Sequence, residues 1–87
     1  MKFQGALIKE QNVTFGVVIV KPHVLSNQAE ANGLIVSFET QVFVGYPVVL
    51  MAQDAKATPT YYGRKDIVGF LARVPLASIP WREYTLS

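Results

Sequence analysis

The consecutive residues Tyr61, Tyr62, Gly63, Arg64, Lys65 and Asp66 gather more chemistry than any other stretch of the chain. They read as a strand ending on two tyrosines, a glycine that turns the chain, and two cations where a helix begins. Free N–H groups at a helix start attract anions, and Arg64 and Lys65 add donors and positive charge. Adjacent tyrosines on a strand point to opposite faces, so one packs inward while the other is free to stack on a base. Tyr61, Tyr62, Gly63, Arg64 and Lys65 therefore form the candidate site for an anion, a nucleotide or a nucleic-acid strand. The competing reading is structural, with Gly63 an ordinary turn residue and Asp66 balancing the cations and the helix dipole.

Other chemistry finds fewer residues to work with. His23 is the single imidazole, and nothing near it in sequence supplies a nucleophile or an orienting carboxylate. No Gly-x-Ser-x-Gly elbow surrounds any serine. The chain holds no cysteine, which removes disulfides, thiolate metal sites and a cysteine nucleophile. Glu10, Glu30, Glu39, Asp54, Asp66 and Glu83 could form an acid/base pair only if folding brings two of them together, and each also fits a turn, cap, loop or solvated helix face. Neither a phosphate-binding glycine loop nor calcium-loop spacing occurs. The expectation is no catalytic residue, no metal and no cofactor.

Eight Lys plus Arg against six Asp plus Glu give a net charge of +2. These cations are scattered, and a nucleic-acid surface would require Lys9, Lys21, Lys56 and Arg64 to gather along one rim of the fold.

The elements that must position these groups follow from a short, apolar chain of 87 residues, 51% hydrophobic and 16% charged. Such a composition excludes disorder and points to one domain over residues 1–87. The longest uncharged run, 40–53, is broken by Gly45 and Pro47 and falls short of the roughly 20 apolar residues a membrane-spanning helix needs. The apolar stretch near the start, bounded by Lys2 and Lys9, is shorter than the roughly 7–15 residues of a secretory signal core. A cytoplasmic protein without membrane contact is expected.

Residues 4–9 and 14–21 read as a hairpin joined through Glu10, Gln11, Asn12 and Val13, with the second strand rich in β-branched residues and closed by Pro22. Asn27 and Glu30 stand at capping-box spacing, with Ser26 also able to cap. From there Ala31, Leu34, Ile35, Phe38 and Val42 recur at helical spacing. The same segment also alternates, and Gly33 after Asn32 would suit a turn, so a strand over 33–44 competes with a helix over 27–43. Length and the cap favour the helix. Residues 47–52 form a nearly continuous apolar run, the mark of a strand buried on both faces. A polar loop over 53–58, a strand over 59–62 and a short helix from Asp66, stopped by Pro75, complete the second half. Residues 75–87 form an ordered tail that packs through Leu76, Ile79, Trp81 and Tyr84.

Two halves of similar order, about 2–44 and 46–74, thus predict an α+β fold of order ββαββα. Two hairpins would make a four-stranded antiparallel sheet with both helices on one face. The unalternating stretch Val17, Val18, Ile19 and Val20 would then leave apolar side chains on the other face, to meet solvent, the tail or a second copy. The function expected on these grounds is a small non-enzymatic interaction or assembly module, a homodimer. The alternative is a basic anion- or nucleic-acid-binding domain acting through residues 61–66.

Overall fold

The computed structural model describes residues 2–10 and 12–85. The described strands are β1 (Lys2–Glu10), β2 (Val13–Ile19), β3 (Val48–Gln53), β4 (Pro59–Tyr62) and β5 (Arg82–Thr85), and the helices are α1 (Pro22–Leu25), α2 (Gln28–Gln41) and α3 (Lys65–Leu71). A single 3-10 turn spans Leu76–Ser78. The fold is α+β, with one five-stranded mixed sheet in the order β4-β3-β2-β1-β5.

The first hairpin forms as expected, with β1 and β2 antiparallel from Gly5↔Val18 to Glu10↔Val13. Its turn residue Asn12 has φ 68, a left-handed conformation that Asn tolerates; Gln11 lies outside the described residues. Pro22 opens α1, where its missing N–H costs nothing. Asn27 caps α2, its Oδ1 accepting from the Glu30 N–H at 3.1 Å. The helical reading of the ambiguous segment therefore prevails through Gln41, and Phe43, Val44 and Gly45 turn the chain back to the sheet. Glu39 then helps to start β3, its Oε2 accepting from the Val48 N–H at 2.9 Å.

Three expectations about the sheet need correction. It is mixed rather than antiparallel, because β3 runs parallel to β2, from Gly16↔Val48 to Ile19↔Met51. It has five strands rather than four, because the tail returns as β5 and pairs antiparallel with β1, from Lys2↔Thr85 to Gly5↔Arg82. The helices lie on opposite faces rather than on one. Val24 of α1 and Ala31 and Phe38 of α2 pack with Phe3, Val18, Val48 and Leu50. Ile67 and Leu71 of α3 pack with Ala6, Phe15, Val17, Val49 and Met51, joined by Ile79 from the tail.

The physical reason lies in β2 and β3. Val17, Val18, Val48, Val49, Leu50 and Met51 are all buried, so both faces of these central strands need a cover. A parallel pair linked by a crossover helix, with helices on both faces, meets that need. Of the tail, Leu76, Ile79, Trp81 and Tyr84 pack on the core as expected, whereas Leu86 and Ser87 lie outside the described residues.

Close packing fixes the seam between α2 and the sheet. Gly16 lies under the Phe43 ring, where a Cβ would stand 2.6 Å from a ring carbon. Phe43 in turn meets Tyr84 edge-on with ring centroids 5.2 Å apart, which ties the end of α2 to β5.

Candidate functional site

The strand β4 delivers the two tyrosines to opposite faces, as its alternation requires. Tyr62 turns toward α2, and its hydroxyl donates to Asn32 Oδ1 at 2.9 Å. Tyr61 turns toward the α3 side, where its hydroxyl is buried with no hydrogen-bond partner among the described residues. Burial pushes the Tyr61 phenol above its ordinary value, because the charged form would lose its solvation. Both tyrosines are half-buried.

Gly63 makes the turn at φ 153, with Val49 Cγ2 3.0 Å from where a Cβ would stand. Arg64 precedes α3, and its guanidinium grips Asp66 in the first turn, with Nε–Oδ1 at 3.0 Å and Nη2–Oδ2 at 2.6 Å. This two-pronged contact lowers the Asp66 pKa and raises that of Arg64, in each case mainly through the hydrogen bond between them. Both groups face solvent. The cation expected to greet an anion thus already holds a carboxylate, and Lys65 is a further exposed cation at this turn, outside that pair.

The other candidates disperse. His23 is exposed on α1, and its carbonyl accepts from the Ser26 hydroxyl at 2.8 Å. Glu10 and Asp66 reach the rim of one hollow of about 150 Å³ that is otherwise walled by Val13, Phe15, Ile67 and Phe70. Asp54 shapes the β3–β4 connection, its Oδ1 accepting from the N–H groups of Lys56 at 2.8 Å and Thr58 at 2.9 Å. Glu83 sits 3.8 Å from Lys2 across the β1–β5 pair. Among the described residues no three His, Asp or Glu side chains converge as a metal cage, and no helix is long and apolar enough to cross a membrane.

The cations divide between the two ends of the sheet. Lys21 follows the carboxyl end of β2 and Lys56 follows that of β3, which lie side by side in a parallel pair. Lys9 stands at the carboxyl end of antiparallel β1, and Arg64 beyond that of antiparallel β4, at the opposite end. The single basic rim required for a nucleic-acid surface does not form.

Sequence reasoning missed the outer edge of β1. The β5 ladder stops at Gly5↔Arg82. Continued in register, Trp81 would face Ala6 and Pro80 would face Leu7. Pro80 has no N–H to give, and the Trp81 N–H donates instead to the Ile79 carbonyl at 2.8 Å. Among the described residues no strand pairs with the outer side of 6–10, and Leu7 on that stretch is 44% exposed. Pro80 was the available signal, since a proline marks where an edge ladder must stop. The opposite edge is better defended, because β4 is short and begins at Pro59.

No protein-family model, no curated protein and no solved structure matches this chain.

Proposed function

We propose that the protein is a small non-enzymatic assembly module that pairs with a second copy of itself through the outer edge of β1. The observation that carries this reading is the unpaired stretch 7–10, where Leu7, Lys9 and Glu10 are exposed and Ile8 is half-buried. An open strand edge is a template for another strand.

A second copy is a self-consistent occupant. Antiparallel pairing about a twofold axis at Ile8 sets Leu7 opposite the partner's Lys9. No like charges then face one another. The methylene stem of Lys9 can lie over Leu7 while its ammonium stays in water. The result would be one continuous sheet running through both copies. So short a pairing belongs with interfaces below about 1,200 Å², the size of weak and transient contacts.

Anion binding at residues 61–66 remains the second reading, resting on Lys65 and the local backbone. The edge is preferred because Tyr61, Tyr62 and Arg64 are engaged within the fold. Sedimentation equilibrium over a wide concentration range tests the proposal. A monomer–dimer equilibrium that Leu7→Lys abolishes supports it. A monomer at every concentration, or a dimer indifferent to Leu7→Lys, refutes it.

A further inference from the structure

A crevice of about 510 Å³ opens at the carboxyl ends of β2 and β3, away from the β1 edge, where Val20, Val24, Leu34 and Phe38 form apolar walls and Lys21 and Gln53 stand among the lining residues. A neighbouring hollow of about 270 Å³ shares Pro22 and Gln53 with it and extends toward Thr60. We infer that this crevice binds a small anionic amphiphile, a free medium-chain carboxylate, with its chain against the apolar walls and its head at Lys21.

Three observations converge on that chemistry. The first is place, because the crevice opens at the carboxyl ends of the parallel strands β2 and β3, where the chain departs into its crossover. Here the chain leaves β2 through Val20, whose N–H donates to the Met51 carbonyl at 2.8 Å. It passes directly into Lys21 and α1, so the wall and the cation come from consecutive residues.

The second is size and lining. Small-molecule sites measure roughly 300–1,000 Å³ and combine apolar walls with a few polar groups, and this crevice has that make-up. Leu34 is only half-buried on α2 although its neighbours Phe38 and Val24 are buried, so apolar surface is left to be covered.

The third is charge. Among the described residues the ion pairs are Lys2–Glu83 and Arg64–Asp66, and Lys21 has no carboxylate within that reach. Asp54, the acid lining the neighbouring hollow, already accepts two backbone N–H groups through Oδ1. An ammonium beside an apolar wall selects an anionic head over a cationic one.

Titration of the full chain with octanoate and with octylammonium, followed by backbone amide shifts in NMR, tests the inference. Millimolar octanoate is expected to shift Val20, Lys21, Val24 and Leu34, with octylammonium binding more weakly. Lys21→Glu should weaken octanoate by about fivefold to tenfold, the scale of one partly screened charge contact reversed in sign. Leu34→Trp should fill the crevice and abolish those shifts while the α3 face stays unchanged. Lys21 is exposed, so its variant keeps every buried contact and carries the test if Leu34→Trp fails to fold. Absence of shifts, shifts centred elsewhere, equal binding of the two amphiphiles, or indifference to Lys21→Glu would each overturn the inference.

Discussion

The two faces of the sheet are filled by different means. On the α2 face aromatic rings interlock: Phe3 lies 4.8 Å from Phe38 and stacks on Tyr84 at 5.4 Å, and Phe43 completes the chain of rings. On the α3 face the core is mainly aliphatic, with Val17, Val49, Met51, Ile67, Leu71 and Ile79 and one edge-on pair, Phe15–Phe70, at 6.1 Å. The aromatic face draws on β1, α2 and β5, which are distant in sequence, and so closes the chain on itself. The aliphatic face holds a short helix and the returning tail. Helices cover both faces of the sheet, while Leu7 on the β1 edge and Val36, Val44 and Tyr46 around the end of α2 stay exposed.

Truncations in the two cores should produce the largest effects. Phe38→Ala should cost about 3–5 kcal/mol and Leu71→Ala about 2–5 kcal/mol, large fractions of the few kcal/mol expected for a domain this small. Urea denaturation followed by circular dichroism reads both. If Leu71→Ala leaves the transition unmoved, the α3 face is not part of the cooperative core and the comparison breaks.

Two glycines sharpen the picture at intermediate size. Gly16→Ala would push a methyl group into the Phe43 ring and should destabilise by about 1–3 kcal/mol, the usual range for overpacking. Gly33, exposed within α2, has nothing within 4 Å of a new Cβ. Gly33→Ala should stabilise by roughly 0.5–1 kcal/mol through helix propensity. Thermal melts of the pair should move in opposite directions.

The adjacent tyrosines compare the faces by a single atom each. Tyr62→Phe removes the bond to Asn32 and should cost about 0.5–1.5 kcal/mol. Tyr61→Phe removes a buried hydroxyl that has no partner among the described residues and should be neutral or stabilising. Chemical denaturation of the two variants in parallel checks the contrast in sign.

The smallest effect should come from Arg64 and Asp66, both exposed. The Asp66 carboxyl is held below its ordinary range by the Arg64 guanidinium. A lowered folded pKa stabilises above the unfolded value of about 4 and loses that contribution as pH falls toward the folded value. An NMR titration should place the Asp66 midpoint low, and Arg64→Ala should return it upward with little change in melting temperature.

Much of this arrangement was legible from local pattern. The first hairpin, the Asn27 cap, the strand at Pro59 and the opposed tyrosines all follow from spacing and residue type. The unalternating Val17-Val18-Ile19-Val20 stretch and the apolar run 47–52 each signalled a strand buried on both faces. Joined by a helical connection, two such strands suit a parallel pair with helices on both sides, and that inference required combining segments far apart. Nothing local marks β5, because Arg82, Glu83, Tyr84 and Thr85 become a strand through the ladder to β1 and the Phe3–Tyr84 stack. At the candidate site, the balancing of cations by Asp66 was readable from adjacency. The bond from Tyr62 to Asn32 spans 30 positions and belongs to tertiary packing alone.

Hydrogen exchange of the β1 amides, measured at low and high protein concentration, tests the central claim most directly. Pairing through the edge predicts that outward-facing amides within 7–10 exchange freely in dilute solution and become protected as concentration rises. The β2-bonded amides should stay protected throughout, and Leu7→Lys should erase the dependence on concentration. Exchange within 7–10 that is the same at every concentration would contradict the account, as would protection gained on β4 instead.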